Sequence, residues 1–186
     1  MTNHFIGKKL VSNDKVEDDL GLFNFTQEEY GEDFGKHIIE QYKLFVELMD
    51  RVTQRRLNTN TFFLTANTAL IAALSGLSTS HLISSQNFLL IDLLTAFAGI
   101  LLCVEWWGVI ISYTQLNNGK FTIIHQIETR LPLSMFKAEW KALGNGGKNE
   151  LYKPITRIEK LIPAVFIFLY LALPISSYLI LHGLIP

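Results

Sequence analysis

Two short motifs carry residue types that could bind a metal ion. His37 and Glu40 form one His-x-x-Glu pair, and His125 and Glu128 form another. Residues three positions apart share a helix face, so each pair could offer an imidazole and a carboxylate to a cation. The di-iron pattern of four-helix proteins is Glu-x-x-His with further glutamates, which this sequence lacks. Metal ligation is therefore the alternative, and we expect hydrogen-bonded helix surface without a metal or other cofactor.

Two carboxylates lie inside otherwise apolar sequence. Asp92 and Glu105 are the only Asp, Glu, Lys or Arg residues between positions 57 and 119. Asp92 could be an anion favoured by a helix N-terminus, or a proton- or cation-binding group that faces an oligomer axis. Glu105 could form an ion pair at the membrane boundary, within or between subunits, or an acidic ring at a pore mouth.

Two adjacent arginines, Arg55 and Arg56, end the charged sequence that precedes the first apolar stretch. Neighbouring residues on a helix point about 100° apart, so the two guanidinium groups cannot share one partner. We predict that one arginine reaches lipid phosphate and that the other pairs with an acid, Glu105 being the nearest by depth.

Membrane-spanning helices are needed to position these residues. Residues 57–91 contain no Asp, Glu, Lys or Arg, and neither do residues 161–186. A bilayer-spanning helix needs about 20 apolar residues, so these stretches are long enough to cross. The sequence therefore predicts an all-α integral membrane protein. The three predicted spans cover residues 59–82, 88–113 and 161–184.

The first two spans are predicted to extend beyond the membrane as a helical hairpin over residues 36–130. An apolar seam recurs there in alternating steps of four and three, which is typical of one helix face. Its members are Ile38, Tyr42, Phe45, Met49 and Val52. A mobile acidic arm at 1–35 should precede the hairpin, and a loop with short helices at 131–160 should follow it. Trp106 and Trp107 should form an interfacial aromatic belt.

The first span has a stripe of small residues with a polar stripe beside it. The small residues are Ala66, Ala69, Ala73 and Gly76, and the polar ones are Thr61, Thr65, Thr68 and Ser75. Small side chains let helices approach closely in lipid, so this face predicts helix packing. A pore-lining face is the alternative.

The distribution of basic residues predicts the orientation of the chain. All sixteen Lys and Arg residues precede Leu57 or fall within 120–160. Because short basic loops stay in the cytoplasm, we predict a cytoplasmic N-terminus and a periplasmic C-terminus. The net charge of -1 gives no indication of nucleic-acid binding. No phosphate loop, nucleophile elbow, HExxH or kinase motif occurs, so we expect the protein not to be an enzyme.

Several short stretches together resemble the RipA-type octameric membrane proteins, which are small bacterial inner-membrane proteins. The stretches are Glu40-Gln41-Tyr42-Lys43, Arg55-Arg56, Asn60 to Leu64, Asn67 to Leu70, Tyr113 to Asn117, Lys120-Phe121, Leu131-Pro132, Glu139-Trp140 and Tyr152-Lys153-Pro154. Their order and spacing over residues 40–165 are more specific than any one of them. The resemblance implies a homo-octamer in a bacterial cytoplasmic membrane.

Two classes of function stay open on the sequence alone. The first is a non-enzymatic scaffold that organises lipids or a cytoplasmic protein partner, with contacts from the acidic arm and the basic residues of 137–160. The second is a channel whose axis is lined by Asp92, Glu105 or the threonines of the first span. Three spans per subunit in a large ring would leave an opening too wide for a selective filter unless lipid fills it, which favours the scaffold.

Overall fold

Long helices dominate the computed structural model, which describes residues 20–79, 85–146, 152 and 155–184. The helices are α1 (Gln27–Tyr30), α2 (Phe34–Thr79), α3 (Ser85–Glu128), α4 (Met135–Ala142) and α5 (Ile155–Leu181), with a 3-10 turn at Gly144–Gly146. No strand occurs among these described residues, and the predicted all-α fold is confirmed. Most of the predicted arm, residues 80–84 and most of residues 147–154 lie outside the described residues.

Three of the helices are long and apolar enough to cross a membrane. The candidate spans lie within Phe34–Ser78, Asn87–Glu128 and Ile155–Leu181. α2 and α3 continue past their apolar stretches without interruption because neither helix contains a proline. α5 runs through Pro163 and Pro174, which spanning helices tolerate when neighbouring groups satisfy the freed backbone.

The charged halves of α2 and α3 pack against each other as a hairpin. Tyr42 and Met49 of α2 form its buried core with Ile124 and Ile127 of α3. Other residues of the predicted seam, such as Phe45, pack around this core. The hairpin is therefore held by burial of the apolar face that the heptad-like spacing indicated.

Along the apolar stretches, α3 lies between α2 and α5. Cys103 and Ala96 of α3 form a buried cluster with Tyr170 of α5. Gly99 of α3 is required here because a Cβ atom at this position would lie 2.2 Å from Cζ of Tyr170. Because glycine has no side chain, the tyrosine ring can pack directly against the backbone of α3.

Candidate functional site

A cluster of polar side chains joins all three spanning helices where α2 changes from charged to apolar sequence. We call Arg56, Asn60, Trp106, Thr156 and Glu159 the boundary cluster. The Arg56 guanidinium forms an ion pair with the Glu159 carboxylate and donates to Thr156 Oγ1 at 2.9 Å. Asn60 Nδ2 donates to the other Glu159 oxygen at 3.0 Å, and Trp106 Nε1 donates to Asn60 Oδ1 at 2.9 Å. Both oxygens of the glutamate therefore have a partner.

The acidic partner of the arginine pair is different from the one predicted. Arg56 pairs with Glu159 of α5, whereas Glu105 is exposed on the surface of the single chain. The prediction that Glu105 would be the partner within the chain was wrong. α5 begins at Ile155, before the predicted third span, and this early start places Glu159 beside α2. Arg55 is exposed and has no ion-pair partner among the described residues, as expected for the arginine that does not pair with an acid.

A second polar network lies within the apolar stretches. Asn67 is fully buried, and its Nδ2 donates to the Phe63 carbonyl at 2.8 Å. Cys103 Sγ donates to Asn67 Oδ1 at 3.4 Å, and the Tyr170 hydroxyl donates to the Asn67 carbonyl at 3.3 Å. One asparagine thus contacts α2, α3 and α5, and Cys103 has a defined place in the packing.

Asp92 is buried between α3 and α5 rather than directed away from the protomer. Its side chain is 1% exposed, and Oδ2 accepts a hydrogen bond of 2.7 Å from the Ser177 hydroxyl. The alternative in which Asp92 faces an oligomer axis is therefore wrong for this arrangement. The free amides of a helix N-terminus lie in its first turn. α3 begins at Ser85, so Asp92 lies beyond that turn and does not reach those amides. Oδ1 is buried and has no partner among the described residues.

Three of the four candidate metal ligands, His37, His125 and Glu128, have other contacts. His37 Nδ1 is 2.8 Å from the Tyr30 hydroxyl, and Glu40 is exposed. His125 lies near the ring of Phe121, with centroids 6.2 Å apart. Among the described residues, no group of three or more His, Cys, Asp or Glu side chains is arranged to hold a metal ion.

Glu128 connects the C-terminal end of α3 to the start of α4. It accepts hydrogen bonds from the backbone N–H groups of Phe136 and Lys137, at 2.8 and 3.0 Å, and from the Tyr42 hydroxyl at 3.2 Å. A carboxylate at a helix N-terminus satisfies free amides and is stabilised by the helix dipole. Burial, together with the neighbouring Glu128 charge, raises the pKa of the Tyr42 phenol. Glu128 thus has a structural role in this part of the chain.

The small and polar stripes of α2 lie on the outer surface of the single chain. Thr61, Thr65, Thr68, Ser75, Ala69, Ala73 and Gly76 are exposed, and Ala66 is half-buried. Three of the hydroxyls donate to carbonyls one turn earlier in α2, at 2.8 to 3.0 Å. The surface of this face is therefore largely methyl and methylene groups, which suits helix packing better than contact with water.

The two tryptophans do not form the predicted belt together. Trp106 is 1% exposed and its ring stacks on Phe63, with centroids 5.8 Å apart. Its indole N–H donates to Asn60 Oδ1 inside the protein, so the ring does not need the membrane–water interface to find a hydrogen-bond acceptor. Trp107 is half-buried and stays a candidate for the belt.

The model of the Octameric membrane protein family (8xMP) matches residues 39–180. The chain belongs to this family. Membership confirms the predicted resemblance and extends it from residue 165 through most of α5. Neither a curated protein nor a solved structure matches the chain. As a member of the octameric family with three span-length apolar helices, the protein is a homo-oligomeric multi-pass membrane protein.

In this octameric membrane protein, several site residues were missing from the sequence prediction. Arg56, Asn60 and Asn67 follow one another at intervals of four and seven, so they share a helix face. Amides on the same face as an arginine, inside an apolar run, are a signal that could have identified the inner side of α2. Tyr170 carries no comparable signal, because its role depends on its position beside Gly99.

A cavity of about 700 Å³ lies next to the boundary cluster, between the charged halves of α2 and α3, α4 and the start of α5. Arg56, Thr156 and Glu159 of the cluster contribute to its wall. The cavity is thus bordered at one end by polar groups that also hold the three spanning helices together.

Proposed function

We propose that the chain is a non-enzymatic subunit of an octameric scaffold in the bacterial cytoplasmic membrane, which assembles through the outer face of α2. The observation that carries this proposal is a difference between the outer surfaces of the spanning helices. From residue 65 to residue 76, every exposed residue of α2 is Thr, Ala, Ser or Gly. Large apolar residues in the apolar stretch of α2 are exposed only on either side of this range, at Leu57, Phe62, Leu64 and Leu77. Small residues allow close helix contact in lipid, where apolar burial alone gives no preference for protein over acyl chains.

The outer surfaces of the other two spanning helices have a different composition. α3 exposes mainly Leu, Phe and Val in its apolar stretch, and α5 exposes Leu, Ile, Val and Phe. The exposed residues of this kind on α3 are Leu90, Leu93, Leu94, Phe97, Leu101 and Val104. Such side chains suit contact with acyl chains. The proposal therefore places α2 against a neighbouring subunit and α3 and α5 towards lipid.

Two buried polar networks support a scaffold because their hydrogen bonds and ion pair are formed within one protomer. The Asn67 network and the Arg56–Glu159 pair bind helices of the same chain and do not face outward. The basic residues before Leu57 and within 120–160 favour a cytoplasmic N-terminus and hairpin with a periplasmic C-terminus. In that orientation, the charged hairpin and the loop after it would present the scaffold's surface to a cytoplasmic partner.

A leucine on the proposed assembly face should weaken the oligomer. Ala69→Leu places a bulky side chain where two helices meet, and overpacking costs about 1–3 kcal/mol per contact. We expect mass photometry in a mild detergent to show loss of the octamer for this variant. Ala98→Leu is the matched control, since Ala98 is an exposed alanine on the α3 surface assigned to lipid. An octamer that survives Ala69→Leu as well as Ala98→Leu would refute this assembly face.

A channel is the second candidate, and the exposed position of Glu105 favours it. This carboxylate lies on α3 beside Trp106 and has no ion-pair partner among the described residues. An exposed acid near apolar sequence needs water or a cation, which a pore mouth would supply.

Planar-bilayer recording of the purified oligomer separates the two functions. The scaffold proposal expects no unitary conductance, with or without Glu105→Gln. Cation currents that fall on Glu105→Gln would establish the channel instead, because neutralising an acidic ring lowers the local cation concentration. Lys120→Gln, which changes a charge farther along α3, serves as the control for a general effect of charge.

A further inference from the structure

The cavity beside the boundary cluster has the dimensions of a ligand site. Its volume of about 700 Å³ lies within the range of about 300–1,000 Å³ found for small-molecule pockets. The cavity is partly open to the surface of the single chain, as ligand clefts between helices commonly are. The scaffold proposed above does not require such a space.

Aromatic rings form much of the cavity wall. Phe121 and Phe136 form an edge-to-face pair with centroids 6.0 Å apart, and Trp140 and Tyr152 form another at 6.3 Å. All four residues line the cavity. Rings on several sides of a pocket favour a flat, largely apolar ligand that can pack on their faces.

The charges around the cavity argue against an anionic ligand. Among the described lining residues, those charged at neutral pH are Arg56, Glu139 and Glu159. Arg56 is already paired with Glu159, and Glu139 is exposed. An anion would meet the unpaired Glu139 and would have to compete with Glu159 for the arginine. The cavity therefore suits an uncharged molecule better than an anion.

Two buried nitrogen atoms of lining residues lack a hydrogen-bond partner among the described residues. They are Arg56 Nε and His125 Nε2. Arg56 lies level with Thr114, since both contact Thr156. His125 is eleven residues farther along α3, which is about 16 Å at the helical rise. Buried polar atoms nearly always have a partner, and an arginine Nε–H is a donor, so a bound molecule should supply acceptors.

We propose that this cavity binds an uncharged, planar ring compound with carbonyl-type oxygen acceptors. The ring lies among Phe121, Phe136 and Trp140, where an oxygen accepts from His125, and an uncharged substituent extends along α3 towards Arg56. Leu57 and Ile155 line the cavity and are also exposed at the start of the apolar stretches. A lipid-soluble quinone could enter there from the bilayer. A flavin-like compound from the aqueous phase shares the same chemistry.

Two probes distinguish these sources. The full-length oligomer is reconstituted in lipid nanodiscs and incubated with decylubiquinone or with riboflavin, and bound molecules are counted by native mass spectrometry. We expect saturable binding of one probe per subunit. Binding of decylubiquinone alone would assign the ligand to the bilayer, and binding of riboflavin alone to the aqueous phase. Absence of saturable binding for both probes would overturn the proposal.

His125→Phe tests whether binding occurs in this cavity. The substitution keeps a ring but removes both nitrogens, and we expect binding about tenfold weaker from the lost hydrogen bond. His182→Phe is the control, since His182 lies just beyond the C-terminal end of α5 and away from the cavity. If His125→Phe does not purify as an oligomer, Asn117→Leu narrows the same wall and should also weaken binding. If the variant that assembles, His125→Phe or Asn117→Leu, binds the probe with the affinity of the parent protein, the ligand does not bind in this cavity.

Discussion

Replacing Arg56 by alanine will destabilise the protomer severely, whereas the same change at Arg55 will have little effect. Arg56 and Glu159 expose only 15% and 12% of their side chains. Removing the guanidinium leaves the glutamate buried beside apolar helices without its counter-charge, at a cost of about 3–5 kcal/mol. Arg55 is exposed, and substitutions at exposed positions usually change stability by less than about 0.5 kcal/mol. The measurement is the yield of folded oligomer and its thermal midpoint in detergent.

A second substitution identifies the partner. Glu159→Gln removes the charge that Arg56→Ala leaves unpaired while keeping the hydrogen bond from Asn60, so it should partly rescue the arginine variant. Glu105→Gln should not rescue it, because Glu105 is exposed and does not pair with Arg56. Equal, mild effects of the two arginine substitutions would mean that water reaches both guanidinium groups and that the pair does not hold the boundary cluster together.

Gly99→Ala will separate α3 from α5 and lower the stability of the protomer. The new Cβ atom would lie 2.2 Å from Tyr170 Cζ and 2.4 Å from both adjacent ring carbons, so one of the helices has to move. Overpacking of this kind costs about 1–3 kcal/mol, and we expect the thermal midpoint to fall by about 2–12 °C. Movement of Tyr170 also strains its hydrogen bond to Asn67.

Gly108→Ala is the control for this experiment. Gly108 lies on the same helix, but a Cβ atom there would meet nothing within 4 Å. Alanine is the better helix former, so this variant should be as stable as the parent or slightly more stable. Gly99→Ala combined with Tyr170→Leu should lose less than the sum of the two single changes, because the smaller side chain relieves the clash. A Gly99→Ala protein as stable as Gly108→Ala would show that the helices do not approach closely at this point.

The spans and the hairpin could be predicted because they depend on patterns within one segment. The absence of charged residues from 57–91 indicates a helix inserted in lipid. The seam from Ile38 to Val52 indicates one buried helix face. Neither pattern depends on which helix is the neighbour. The length of each helix could therefore be predicted, whereas the helix against which it packs could not.

The boundary cluster depends on how three helices are rotated and how far each one extends. Glu159 follows Arg56 by 103 residues, and its position beside α2 depends on α5 starting at Ile155. Sequence position placed it in a loop before the third span. Trp106 was predicted at the lipid interface because tryptophan prefers that position, but the Asn60 acceptor on the neighbouring helix satisfies its N–H inside the protein. The preference of tryptophan for the interface was outweighed by this contact between helices, which the spacing of residues along the chain does not reveal.

The separation of Arg56 and Glu159 along the chain also sets an order of events during synthesis. α2 and α3 are made before α5, so for that interval Arg56 lacks its acidic partner and the Asn67 carbonyl lacks the tyrosine hydroxyl. A hairpin of the first two helices alone therefore holds a largely buried arginine near the membrane boundary whose acidic partner only the last helix supplies. A nascent chain that stops before α5 should be recognised as incomplete by membrane quality-control proteases, and subunits should join the oligomer only after their final helix has inserted.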